Sequence, residues 1–400
     1  MSKVKVKVVI GSNYGDECKG LATHFFSQSE KAKCLNVLFN GGCQRGHTVE
    51  LKNGKRHIFH HFGSGTFDNA ITYFDQDFMV NPAIFIEEYE ELKNNGIKPI
   101  CMVSPKCRVS TIYDMFINQI VETYRGKNRH GSCGYGIWET QKRYENGTYA
   151  LTYEQLSLMT NLEVTRYLKR IADTYLPHRL SEYGITEIPS EYKELIDSEG
   201  LIKHFINDLR TMQYMVQMID FDKVIYDYDT IVFEGAQGLE LDENNLKAMP
   251  YITASNTTSY IPVQRVKDFD CDIEICYITR SYFTRHGAGM FPTECNKSDI
   301  NKDIVDFTNC YNEYQQTIRY GMFDYDEFVG RVQSDIQRTK SEISGIKISV
   351  MITHLNYTDN EIAGNCTIKD LSEHFDTIYL SNTKFSEDIK ITNKGSIEFD

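Results

Sequence analysis

The chain has 400 residues, of which 41% are hydrophobic, 12% aromatic and 25% charged. That is a globular composition, and it excludes a disordered or collagen-like chain. Acidic residues number 56 against 43 basic ones, a net charge of −13, whereas a duplex nucleic-acid binder needs a basic footprint to displace counterions.

No stretch approaches the roughly 18 apolar residues of a membrane span. The expected partners are therefore small molecules, with no membrane and no nucleic acid. The chain has 11 cysteines but no Cys-x-x-Cys pair and no leader-like start. This pattern argues against zinc and for reduced thiols in a cytoplasmic protein.

The alternation of Lys and Val that opens the chain predicts a strand over Val4 to Ile10. It runs directly into Gly11-Ser12-Asn13-Tyr14-Gly15-Asp16-Glu17-Cys18-Lys19-Gly20, and Leu21, His24 and Phe25 then follow at near-helical spacing. Cys34 to Phe39 is a second apolar run ending at Asn40-Gly41-Gly42. Further strands are predicted at Phe78 to Asn81, Lys98 to Ser104, Val224 to Phe233, Cys276 to Thr279 and Ile346 to Thr353, with helices at Pro82 to Asn95 and Tyr153 to Tyr175.

Strands alternating with helices predict an α/β fold with a largely parallel central sheet. In such sheets ligands bind at the carboxyl ends of the strands, where the glycine-rich turns lie here. Residues 140 to 222 read as a helical insertion, and residues 1–400 as one elaborated domain. No motif stands out after about Asn356.

Three stretches carry chemistry. Gly11, Gly15 and Gly20 surround Asp16 and Lys19 between a strand and a helix, the arrangement of a phosphate-binding loop. Lys19 is followed by Gly20 rather than Ser or Thr, so the P-loop NTPase pattern is not met. A tight turn with a surface Asp and Lys is the alternative. In Gly41-Gly42-Cys43-Gln44-Arg45-Gly46-His47-Thr48, His47 is a candidate acid or phosphoryl hydrogen-bond donor, or else a structural histidine. Glu234-Gly235-Ala236-Gln237-Gly238 and Pro250 to Thr258 offer an amide for a base edge and hydroxyls for phosphate oxygens, or are simply polar turns.

Taken together and in order, these strings resemble the adenylosuccinate synthetase family. The family's Gly-x-x-Trp-Gly-Asp-Glu-Gly-Lys-Gly loop is matched by Gly11 to Gly20, with Tyr14 for Trp and Cys18 for Gly. Its Gly-Gly-x-Asn-Ala-Gly-His-Thr loop is matched by Gly41 to Thr48, with Gln44 and Arg45 for Asn-Ala. His60 to Gly65, Ser132 to Ile137, Glu234 to Gly238, Pro250 to Thr258 and Thr284 to Glu294 continue the match to about residue 357.

The resemblance implies a ligase that joins L-aspartate to C6 of a 6-oxopurine monophosphate while a nucleoside triphosphate is cleaved. By similarity Asp16 is the N1 base, His47 acts at the phosphoryl bridge and Lys19 faces the transferred phosphate. Mg²⁺ would be held by Asp16 and the Gly46 carbonyl. Asn13, Gln44, Ser132, Cys133, Gln237 and Thr253 would hold the acceptor nucleotide. Gly15, Gly20, Gly46, Thr48 and Asn356 would hold the donor, and Thr317 and Arg319 the aspartate. A homodimer is implied as well.

Three departures bear on substrate choice. The family's Thr-Lys-Leu-Asp string reads Thr353-His354-Leu355-Asn356 here, and an amide in place of a carboxylate suits adenine better than guanine, which points to ATP or dATP. The family's arginine-dense aspartate loop shrinks to Gln316 through Asp324, with Arg319 its one arginine. Tyr135 stands where the family's phosphate loop has Arg. Tyr135 together with the adenine-like donor site resembles the viral aminoadenylosuccinate synthetases, which act on (d)GMP, but Asp16 is retained as in the IMP enzymes. Both acceptors stay open, with the lean toward (d)GMP. A non-catalytic nucleotide-binding protein is the alternative of another class, against which Asp16, Lys19 and His47 all count.

Overall fold

Ten strands build one sheet: Val4–Gly11 (β1), Cys34–Leu38 (β2), Ile71–Phe74 (β3), Cys101–Val103 (β4), Val216–Met218 (β5), Thr230–Glu234 (β6), Cys271–Arg280 (β7), Lys347–Thr353 (β8), Thr377–Leu380 (β9) and Lys390–Asn393 (β10). The computed structural model describes residues 3–28, 32–306, 317–341 and 343–394. The sheet order is β10-β9-β8-β7-β1-β6-β2-β3-β4-β5. Neighbours are parallel throughout except β9 with β10. The expected α/β fold with a largely parallel sheet is what forms.

The central strands are buried on both faces toward their C-terminal ends, where Val8 to Ile10 and Ile275 to Ile278 are continuous apolar runs, while Lys5 and Lys7 alternate with Val at the start of β1. Val6, Val8, Ile10, Ile231, Phe233, Ile275 and Tyr277 form the middle of the core. Because β2, β1, β6, β7 and β8 all run the same way, the segments that follow them leave from one edge of the sheet. Those segments contain Asn40 to Thr48, Ser12 to Cys18, Gly235 to Gly238, Ser281 onward and His354 to Asn356. Parallel pairing thus gathers the separate sequence motifs.

Lys19–Ser27 (α1) follows β1 directly. Its N-cap, Cys18, lies at φ 72° and makes no side-chain cap, so the first-turn N–H groups have no side-chain partner there. Pro82–Asn94 (α2) starts on an Asn81 cap, and Ile112–Arg125 (α3) on a Thr111–Asp114 capping box. Both pack in a second core with the helical block, through Phe85, Leu92, Ile117, Val164, Leu168, Phe205 and Leu209. Among the described residues no helix is long and apolar enough to cross a membrane.

Several boundaries differ from expectation. The helical block begins at Ile137 and ends at Met215, because residues 216–218 are β5 at the sheet edge. The long helix expected at Tyr153 to Tyr175 is broken into Tyr153–Leu158 and Asn161–Arg170, followed by the π-helical turn Ile171–Tyr175. The break is local chemistry: the Thr160 hydroxyl caps Glu163 N–H while the Glu163 carboxylate accepts from Thr160, which starts a new helix. Phe78 to Asn81 contributes only the two-residue strand Met79–Val80. Val224 to Phe233 becomes a strand only at Thr230, after two 3₁₀ turns. β3, β9 and β10 were not expected. The last two carry the sheet into the C-terminal stretch where no motif was seen.

Candidate functional site

The gathered loops enclose a cavity of about 520 Å³, within the usual range for small-molecule sites. Asp16, Lys19, Gly15, Gly20, Gln44, Gly46, His47, Thr48, Ser132, Cys133, Gln237 and Thr253 all line it. These are the expected catalytic trio and most of the expected nucleotide contacts, drawn from five separate segments.

Asp16 sits in the turn between β1 and α1 with φ 57°, beside Gly15 at φ 93°. Its backbone carbonyl accepts from Arg280 Nε at 2.5 Å. Its Oδ2 lies 2.7 Å from His286 Nδ1. Burial raises the Asp16 pKa, but the hydrogen bond and charge of His286, with Arg280 and Lys19, outweigh it and hold the carboxyl below its ordinary value. His286 responds in the opposite sense: burial lowers its pKa, and Asp16 raises it above the usual histidine value.

Lys19 is buried at the start of α1, and its Nζ donates to Glu17 Oε2 at 2.9 Å. Glu17 Oε1 accepts in turn from the N–H groups of Asn13 and Gly15. The carboxylate therefore holds the loop closed and gives Lys19 its counter-charge. Gly11 leaves the room for this: a Cβ there would meet Glu17 Oε2 at 2.6 Å and Lys19 Nζ at 2.9 Å.

His47 opens the hairpin strand His47–Glu50, paired with Arg56–Phe59. Its Nδ1 lies 2.6 Å from Glu234 Oε1 at the end of β6. Arg45 reaches the same oxygen at 3.1 Å, and Ser64 donates to Glu234 from both its hydroxyl and its backbone N–H. Burial and the Arg45 charge push the His47 pKa down to about 4 against the pull of Glu234. The ring is neutral near pH 7, with Nδ1–H given to Glu234 and the Nε2 lone pair left over. Burial raises Glu234, but Arg45, His47 and Ser64 hold it well below the ordinary carboxylate value.

The loop after α3 is held from behind. Glu122 accepts from Gly131 N–H, and Asn118 donates to the Ser132 hydroxyl. Both amide atoms of Gln44 are buried without a hydrogen-bond partner, beside the cavity they line.

Four expected contacts are not in the lining. Asn13 is buried, its amide occupied by Arg331 at 2.6 Å and Thr279 at 3.1 Å. Asn356 is exposed in the 3₁₀ turn Leu355–Tyr357 beyond β8. Thr317 is exposed at the edge of the described residues, and Gln316, which opens the aspartate string, lies outside them. Arg319 pairs with Glu294 and donates to the carbonyls of Gly287 and Gly289 at 3.2 and 3.0 Å. It thus braces the 285–290 loop, while Arg285 of that loop lines the cavity.

Glu234, Arg45, His286 and Glu17 were not singled out from the sequence. Glu234 had a readable signal, a carboxylate ending a strand of otherwise apolar residues. Glu17 acts within its own loop, on Asn13, Gly15 and Lys19, whereas Arg45 and His286 acquire a role only through distant partners.

Among the described residues no three or more His, Cys, Asp or Glu side chains are grouped to hold a metal. One carboxylate, Asp16, and one exposed loop carbonyl, Gly46, are oxygen donors of the kind Mg²⁺ takes when substrate phosphates and water supply its other ligands. The residues present fit that ion and do not form a closed cage.

A family model described as adenylosuccinate synthetase matches residues 8–341. An adenylosuccinate synthetase of Thermoplasma volcanium is 27% identical over 398 residues, covering 93% of this chain and 85% of the relative. That of Buchnera aphidicola is 30% identical over 296 residues, and the match spans 72% of this chain and 64% of the relative. The fold is similar to a fully ligated adenylosuccinate synthetase from Plasmodium falciparum, with TM-score 0.66 and 21% identity over 88% of this chain and 77% of that one. It is also similar to the succinoaminodeoxyadenylate synthetase of cyanophage S-2L, bound to dGMP with dATP as energy donor, with TM-score 0.61 and 14% identity over 98% of this chain and 96% of that one. By the extent of the family match, the chain belongs to the adenylosuccinate synthetase family and is a ligase of the kind that forms a C–N bond.

Proposed function

We propose that the protein joins L-aspartate to C6 of (d)GMP, with ATP or dATP as phosphoryl donor, giving N6-succino-2-aminoadenylate, a nucleoside diphosphate and inorganic phosphate. The observation that carries the reading is the convergence of Asp16, Lys19, His47 and Gln237 on one cavity. The dGMP and dATP bound by the cyanophage relative support the choice of substrates, as does Asn356 where the family has Asp.

A ring carbonyl oxygen is a poor leaving group and must first be activated. Asp16 takes the proton from N1, and O6 then attacks the γ-phosphorus as the β,γ-bridging oxygen leaves. The aspartate amine adds at C6, the oxygen leaves as phosphate, the amine gives up a proton to solvent water, and Asp16 returns its own proton to solvent before the next turnover. Lys19 faces the transferred phosphoryl group. His47 enters as a neutral ring, takes a proton from solvent water at Nε2 as the polyphosphate anion arrives and gives that N–H as a hydrogen bond to the leaving bridge oxygen, its charge offset by Glu234. Gln237 reads the purine edge, while Ser132, Cys133 and Thr253 hold the 5′-phosphate. Asp16 and the Gly46 carbonyl would hold Mg²⁺, which supplies charge neutralisation at the phosphates. Charge stabilisation at the moving phosphoryl supplies most of the acceleration. A homodimer in the cytoplasm belongs to the same reading, and sedimentation tests the assembly.

IMP is the second reading, and the retained Asp16 favours it. A phosphate-release assay over ATP, dATP and GTP against IMP, GMP and dGMP, with and without aspartate, separates the two. Fastest aspartate-dependent turnover with GMP or dGMP supports the proposal, and fastest turnover with IMP replaces it.

A further inference from the structure

Asp16 and His286 are 270 residues apart in sequence, yet Asp16 Oδ2 and His286 Nδ1 meet at 2.7 Å. Both line the cavity, and their side chains stay 27% and 16% exposed. Resting on the proposed role of Asp16 at purine N1, we infer that His286 is a positioning residue that fixes the Asp16 carboxylate for proton abstraction.

The backbone of Asp16 is already held. Its left-handed φ of 57° and the Arg280 hydrogen bond to its carbonyl set where Cβ points. The plane of the carboxylate is another matter, because the terminal torsion of an aspartate is broad and two-fold. A base that rotates freely presents a lone pair to N1 only part of the time. The His286 hydrogen bond to Oδ2 removes that rotation and leaves the lone pairs of Oδ1 for the substrate and the ion that Asp16 would hold.

His286 must itself be rigid for this to work, and the loop around it is braced at four carbonyls. Arg319 Nη1 donates to Gly287 and Gly289. Arg285 donates to Ala288 at 3.0 Å and to Met290 at 2.7 Å, while its guanidinium lies 4.5 Å from the centre of the Tyr14 ring. Gly287 at φ 71° and Gly289 at φ 108° permit the turn. The loop that positions the base is therefore held by Arg319, the expected aspartate contact, and by Arg285, which lines the cavity. Tyr14, two residues before Asp16, closes the circuit.

The test uses His286→Ala, His286→Asn, Asp16→Asn and the Asp16→Asn/His286→Ala double variant. Aspartate-dependent phosphate release is measured with whichever 6-oxopurine monophosphate the wild type turns over fastest, so the choice between IMP and dGMP does not enter. Misplacement of a catalytic group by about 1 Å costs about 10²-fold, and a kcat loss of that order is expected for His286→Ala with both nucleotide KM values unchanged. His286→Asn, whose amide N–H falls near the position of Nδ1, should recover part of it. In the Asp16→Asn background His286→Ala should cost nothing further, because residues acting through one group are non-additive. Nucleotide binding is followed separately by the emission of Trp138, the one tryptophan of the chain, which lines the same cavity.

An unchanged kcat, a rise in nucleotide KM in place of the kcat loss, or an additive loss in the double variant overturns the positioning role and leaves the proposed reaction standing. A wild type that turns over none of the acceptors overturns both.

Discussion

Glu234 accepts from His47 Nδ1 at 2.6 Å and pairs with Arg45 at 3.1 Å, all three side chains being less than a tenth exposed. One carboxylate at the end of β6 therefore orients the histidine at the cavity and neutralises an almost fully buried arginine. Two Arg45 nitrogens, Nε and Nη1, have no hydrogen-bond partner, so its burial is compensated at Nη2 alone, by the Glu234 charge and the Phe62 carbonyl at 3.0 Å.

Glu234→Gln should show both roles at once. Removing one partner of a buried pair typically costs about 3–5 kcal/mol, and a loss of that order is expected in urea unfolding. A misoriented His47 should lower kcat by about 10²-fold with acceptor KM retained. Wild-type stability with wild-type kcat would remove Glu234 from the site.

Asn356 carries the donor prediction. It is exposed beyond β8, outside the large cavity, where a base could reach it from solvent. Asn356→Asp should move kcat/KM from ATP toward GTP by about 1–3 kcal/mol, the usual discrimination of a bidentate base contact. Competition between the two triphosphates measures it, and an unmoved ratio would place donor selection elsewhere.

Arg319 is paired with Glu294 on a partly exposed surface. Such pairs are worth about 0–1 kcal/mol, so Glu294 can be exchanged for a substrate carboxylate at little cost while Nη1 keeps its bonds to Gly287 and Gly289. Arg319→Lys and Arg319→Ala should each raise the KM for aspartate and leave both nucleotide KM values in place, because Lys lacks the planar fork of donors. An unchanged aspartate KM in both variants would pass the clamp to Arg285, which already lines the cavity.

His61 makes stability fall in acid. Its ring is fully buried and its Nε2 accepts from Asn81 N–H at 2.9 Å, so the ring is neutral. Burial pushes its pKa from 6.5 down to about 3. The unfolded chain therefore takes the proton first. Stability is complete above about pH 6.5 and is lost toward about pH 3, at about 1.4 kcal/mol per pH unit for such a group. Urea midpoints across that window should fall with pH, and His61→Gln should flatten the slope. A His61→Gln slope as steep as the wild type's would take His61 out of the acid response.

The strand, glycine loop and helix at Val4–Ser27 were legible because apolar pattern and glycine placement act over a few residues. The motif order, the family and the departures at Asn356 and Arg45 were likewise readable from residue identity alone. The broken helix at Thr160 was also local, its capping box being visible as Thr-x-x-Glu, though the apolar periodicity running across it hid the break. What the sequence could not show was which distant residues would meet. His47 finds Glu234 across 187 residues, and Asp16 finds His286 across 270. Both pairings follow from the strand order, in which β6 and β7 flank β1 and β2 lies beside β6. β9 and β10 are too short to announce themselves and become strands only because β8 offers an edge to β9, and β9 in turn to β10. Local propensity determined the pieces; the burial of apolar strands side by side decided which polar ends came to share one cavity.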